Sequence, residues 1–161
     1  MSTDQTEASA PRGEHPERNA TEPVTPQAVA AIFEEENLEY RIEDSAVRSG
    51  FVNAAIVVAV DGDHLVFEAL WRGEFPRDLA PKVLYACNEH NQTHFAPTLR
   101  FFERGEDQLA VSAIRAMRVE DGASFNQLGA FIVSSIDATL QAFDFLAATF
   151  PSVVTWEEPQ Q

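Results

Sequence analysis

The stretch from Ser124 to Phe150 constrains the fold more than any other, because it reads as one helix with more apolar surface than a single neighbouring layer hides. It opens on Ser124 with Gln127 three residues on, a reciprocal pattern in which two side chains satisfy the first open backbone donors, and Pro151 stops it. At about 100° per residue, Phe125, Leu128, Ile132, Ile136, Leu140, Phe143, Leu146 and Phe150 form one stripe. Phe131, Ala138, Ala142 and Phe145 form a second on a different side, and Asn126, Asp137, Gln141 and Asp144 leave a narrow wet face. A surface helix of a monomer needs one buried stripe. The second stripe predicts either cover by the first helix of the same chain or a surface for another molecule. Gly129, isolated within the helix, predicts a close packing contact.

The rest of the chain alternates between sheet and helix patterns. Thr25-Pro26 is a cap followed by a first-turn proline, and Val29, Ile32 and Phe33 mark a helix that ends in the acidic run Glu34 to Glu36. Leu38, Tyr40 and Ile42 alternate with Glu39, Arg41 and Glu43 as a short strand. Phe51 to Val60 is apolar on both faces, which predicts one central strand. Asp61-Gly62-Asp63 turns it into a partner from His64 to Trp71. Leu79, Val83, Leu84, Cys87 and Asn91 are spaced for a middle helix opening after Pro76. Leu99 and Phe101 begin a strand that turns at Gly105-Glu106-Asp107 and returns as Leu109 to Val119. Asp121-Gly122 then breaks the chain before the long helix.

The expected class is therefore α+β, in the order α-β-β-β-α-β-β-α. An antiparallel sheet of about five strands would carry its helices on one face. Residues 1–23 are polar and acidic, and a segment with so little to bury should be a disordered tail. Residues 24–156 form the domain and 157–161 a C-terminal tail.

With 161 residues, 45% apolar and 23% charged, the chain has the composition of a single globular domain with an ordinary core. No uninterrupted apolar run reaches the roughly 18 residues of a bilayer span, and the N-terminus lacks a secretory signal. One cysteine, Cys87, excludes an internal disulfide framework and fits a reducing compartment, so a cytoplasmic location is expected. The net charge is −15. Five acids against two bases up to Glu22 leave the tail at −3 and the remainder at −12. That surface disfavours nucleic acid and anionic membranes as partners. It leaves open a solubility role, a scaffold for a basic partner, or an acidic antagonist of a nucleic-acid-binding protein. Lys82 is the only lysine, while Arg41, Arg48, Arg72, Arg100, Arg104, Arg115 and Arg118 all fall in strand or hairpin segments. Such arginines either pair across strands with glutamates or line a face that docks an acidic group.

Chemistry-bearing patterns are sparse. Cys87, His90 and His94 are spaced three and four apart, so a continuing helix would set three ligand types side by side, without a fourth. Asp61, Asp63 and His64 are turn chemistry and do not meet the calcium-loop pattern. Ser134 and Ser135 lie in mid-helix without a glycine elbow, and no phosphate loop occurs. Asn88 and Asn91 would either line a pocket or cap and tie the middle helix. A pocket between sheet and helices would draw on Trp71, Asn88, Arg100 and Arg115. No catalytic signature is present, and no cofactor is expected.

The element order resembles that of the YbjN family. The Asp61-Gly62-Asp63 hairpin leading to Phe67 and Trp71, Asn88 with Asn91, the hairpin of Phe101 to Val111, and Gly122 before the capped helix carry the resemblance over roughly Val24 to Pro151. It implies a fold similar to the type III secretion chaperones and a bacterial sensory-transduction regulator. It further implies a non-catalytic module, a homodimer, that holds a protein or peptide. The family offers no accepted active-site residues. Within this expectation the partner or dimer surface would be Phe131, Ala138, Ala142 and Phe145. The competing expectation is a small-ligand or metal-binding protein, or an enzyme, using the pocket named above.

Overall fold

Thr25 and Ser124 start helices as their side chains require. The computed structural model describes residues 16–156. Thr25 Oγ1 accepts from the Ala28 N–H at 3.1 Å, with Pro26 next, and α1 (Pro26–Glu35) begins there. Asn37, at φ 59°, lets the Leu38 N–H reach the Phe33 carbonyl at 2.9 Å and its own N–H reach Glu34 at 3.1 Å, which closes α1. The middle helix α2 (Ala80–Thr93) buries Val83, Ala86, Cys87 and His90. In the long helix α3 (Phe125–Thr149), Ser124 Oγ accepts from the Gln127 N–H at 3.0 Å and the Ser124 N–H donates to Gln127 Oε1 at 2.8 Å.

Among the described residues the sheet has six strands, not five. These are β1 (Arg41–Glu43), β2 (Ala46–Phe51), β3 (Ala54–Asp61), β4 (His64–Pro76), β5 (Thr98–Glu103) and β6 (Gln108–Arg118). They are antiparallel throughout in the order β1-β2-β3-β4-β6-β5. The additional strand is β2. The run read as one strand from Phe51 folds back at Val52-Asn53, bringing Phe51 opposite Ala54. The preceding turn, Asp44-Ser45, has both residues at positive φ, which suits the twist of a two-residue hairpin. Arg48, Ser49 and Gly50 within β2 hide its alternation. Strand β4 also runs five residues past Trp71, with a register shift between Leu70 and Glu74. Gly73 lies there directly under the Trp71 ring; a Cβ would fall 2.3 Å from it.

All three helices lie on one face of this sheet, α3 in the centre, α1 against β1 and β2, and α2 against β5. The residues of α3 from Phe131 round to Ile136 are buried over an arc of about 140°, with Ser135, Thr139 and Ala142 among them. Gly129 meets α1, where Ile32 Cδ1 lies 3.4 Å from the place of a Cβ. Averaged over its best 18-residue window α3 has mean hydropathy 1.3, enough by length and composition to cross a bilayer. Counting uninterrupted apolar residues missed this, because Asn126, Asp137 and Gln141 break the run. Here its buried arc faces the sheet.

The N-terminal boundary differs from expectation. Residues 1–15 and 157–161 lie outside the described residues, but residues 16–24 are docked. The Glu22 N–H donates to the Ala123 carbonyl at 3.1 Å and the Ala123 N–H returns a bond to Glu22 at 2.9 Å. Arg18 pairs with Glu35 at 2.9 Å and covers the Phe125 ring, while Asn126 bonds Asn19 at 2.8 Å. A composition reading sees polar residues; it does not see that the α1–α3 junction supplies partners for them.

Candidate groove between the second and third helices

The second stripe of α3 is divided by its neighbours. Phe131 is buried, with the Arg115 guanidinium from β6 stacked over its ring at 5.0 Å. The same guanidinium donates to Ser134 Oγ at 2.7 Å and Ser135 Oγ at 3.1 Å. Ala142 is buried too, so neither Phe131 nor Ala142 belongs to an outer surface. Phe145 is 37% exposed and Ala138 half-buried. The element flanking this side is α2, not the first helix; α1 packs on the opposite flank. Helix α2 covers it incompletely and leaves a groove.

At its narrow end the groove is a cavity of about 150 Å³ lined by His90, His94, Ala138, Gln141, Ala142 and Phe145. It widens to about 720 Å³ between Pro81, Lys82, Tyr85, Glu89, Phe145 and Phe150. Phe145 borders both parts. Tyr85 is 68% exposed, and Phe95, just beyond His94, is 96% exposed.

The histidines are fixed by local geometry. The His90 and His94 rings stack at 4.2 Å and 5° from parallel, and Phe145 lies 6.1 Å from His90. His94 Nδ1 lies 3.2 Å from the His90 carbonyl. His90 Nδ1 has no hydrogen-bond partner among the described residues, and burial holds its imidazole below the usual histidine range. Parallel rings send their lone pairs side by side instead of toward a common point. Cys87 faces the core, where burial pushes its thiol up to about 11. Cys87, His90 and His94 therefore form no metal centre, and no group of three metal-ligating side chains with holding geometry occurs among the described residues.

The pocket expected from Trp71, Asn88, Arg100 and Arg115 does not assemble. Trp71 is fully buried against Phe75, Phe143 and Trp156. Asn88 is exposed on α2. Arg100 points from the opposite face of the sheet and pairs with Glu68 at 3.7 Å, while Arg115 serves α3. Asn91, not Asn88, does structural work: its amide donates to the Leu99 carbonyl at 2.7 Å and accepts from the Leu99 N–H at 2.8 Å, tying α2 to the edge strand β5. Tyr85 was missed because α2 is short of apolar residues, so an exposed one did not register as a surplus, and Phe95 because it lies beyond the end of α2, outside any periodic segment.

A search of curated proteins finds no match to the chain. Among solved structures, one described as "Crystal structure of YbjN, a putative transcription regulator from E. coli" superimposes with a TM-score of 0.70 at 9% identity, covering 88% of this chain and 100% of that one. At that identity the likeness is one of fold, and it matches the α+β architecture above. Residues 25–148 match the YbjN family, described as "Putative bacterial sensory transduction regulator". The matched span runs from the cap of α1 to the last turn of α3, and on that match the chain belongs to the YbjN family.

Proposed function

We propose that the chain is a non-catalytic regulatory module that seats an apolar protein segment in the groove between α2 and α3. The observation that carries this reading is Phe145, an aromatic at the junction of two cavities with more than a third of its surface open. Single exposed apolar residues are ordinary, but here Tyr85 and Phe145 line one concave strip. Aromatic anchors in such grooves concentrate binding energy. The strip itself carries Glu89 and Lys82, and the net charge of −15 on the chain as a whole favours a segment with basic flanks. The family's description as a regulator supports a role without catalysis.

Affinity capture from cells tests the reading when wild type is compared with Phe145→Asp and Tyr85→Asp. The wild type should retain a protein that the two variants retain at least about tenfold less, since losing one aromatic anchor costs about 2 kcal/mol. Equal recovery by all three overturns the proposal.

A further inference from the structure

Among the described residues the helices cover one face of the sheet only. On the other, strand alternation sets Val57, Ala59, Val66, Leu70, Ile114 and Ala116, each half-buried or exposed, around Glu68, which stands opposite Val57 on one side and Ile114 on the other. Ser112 lies among them, opposite Leu70 on one side and Arg100 on the other. Its hydroxyl is buried without a hydrogen-bond partner among the described residues.

The charges on this face are unlike those elsewhere. Arg41, Arg48, Arg72, Arg100, Arg104 and Arg118 all belong to it, six of the chain's eleven basic residues, and the single lysine does not. Five of the six pair with a carboxylate. Arg41 and Arg48 share Glu43, Arg100 meets Glu68 at 3.7 Å, Arg104 meets Glu74 at 3.7 Å, and Arg118 meets Asp63 and Glu120. Arg72 donates instead to the Phe51 carbonyl at 3.3 Å. Exposed pairs of this kind add little to folding stability. Arginines around apolar side chains, with the one central carboxylate, Glu68, already held by Arg100, are however compatible with a protein interface.

We propose that this face joins two copies of the chain. Two molecules of charge −15 repel wherever their acidic surfaces meet, and this is where positive and negative charges balance. An anionic polymer would find the arginines already engaged, and a basic partner would be drawn more strongly to other faces. A second copy brings the same alternating Arg and Glu, which can exchange partners across a two-fold axis, so the contact is self-complementary. The groove faces away from this junction and stays open in both copies.

Light scattering on the full chain over a dilution series tests the proposal, with circular dichroism as the check on folding. Wild type should show twice the 17.8 kDa of one chain. Leu70→Asp should halve the mass, as should Ala55→Arg, which adds a charge at an exposed position on the same face and leaves the core untouched. Phe145→Asp should keep the doubled mass, which separates this proposal from the one for the groove. Wild type at the mass of a single chain overturns the inference, as does a doubled mass in both sheet variants or a mass halved by Phe145→Asp alone.

Discussion

The imidazole of His90 is buried beside His94 and Phe145, so a proton on it would have to be carried in a narrow cavity. Among the described residues Glu89 is the one acidic group lining that cavity, and His94 adds a like charge when protonated. Burial lowers the folded pKa below the ordinary value of about 6.5, so the unfolded chain binds more protons as pH falls. The contribution of His90 to stability is therefore whole above about pH 6.5 and is lost as pH drops toward the lowered folded value. His90→Gln should flatten the difference in unfolding free energy between pH 7.5 and 5.5, measured by urea titration. An unchanged difference would show that His90 titrates normally. Two glycines act at the same scale. Gly73 leaves room for the Trp71 ring, and Gly122, at φ 85°, lets the Glu22 carbonyl approach to 2.5 Å of where a Cβ would stand.

The starts of α1 and α3 were legible because a cap is a local contract between residues three apart, whereas α2 begins at Ala80 with no side-chain cap. Ser124→Ala removes the acceptor for the Gln127 N–H and should cost about 1 kcal/mol, read as a lower urea midpoint at constant slope. The hairpins at Asp61-Gly62-Asp63 and Gly105-Glu106-Asp107 were equally legible, since Gly62 and Gly105 both take positive φ. Strand β2 was not. Its turn at Val52-Asn53 has no glycine or proline, so the strand expected from Phe51 ran through the turn, and Ala46 to Gly50 carried no strand pattern of their own. The link from Asn91 to Leu99 was also out of reach, because it is a contact between elements and neither sequence signals it alone.

Across the whole molecule, the arginines divide by face: Arg115 points under α3, while six others line the open side of the sheet. The N-terminal strap belongs to this scale, since its partners lie on α1 and at the start of α3. Deleting residues 1–23 should speed amide exchange at Ala123 and the first turn of α3 by roughly tenfold, equivalent to about 1.4 kcal/mol from a few lost hydrogen bonds. Unchanged exchange there would mean the strap adds nothing. What the sequence alone determined was the class, the order of elements apart from β2, the caps of α1 and α3 and the surplus apolar circumference of α3, all of which follow from periodicity and short-range bonding. Which side of that surplus stayed open was decided by tertiary structure. Cover depends on where α1, α2 and Arg115 come to rest, and each is set by sheet order and packing between residues far apart in the chain.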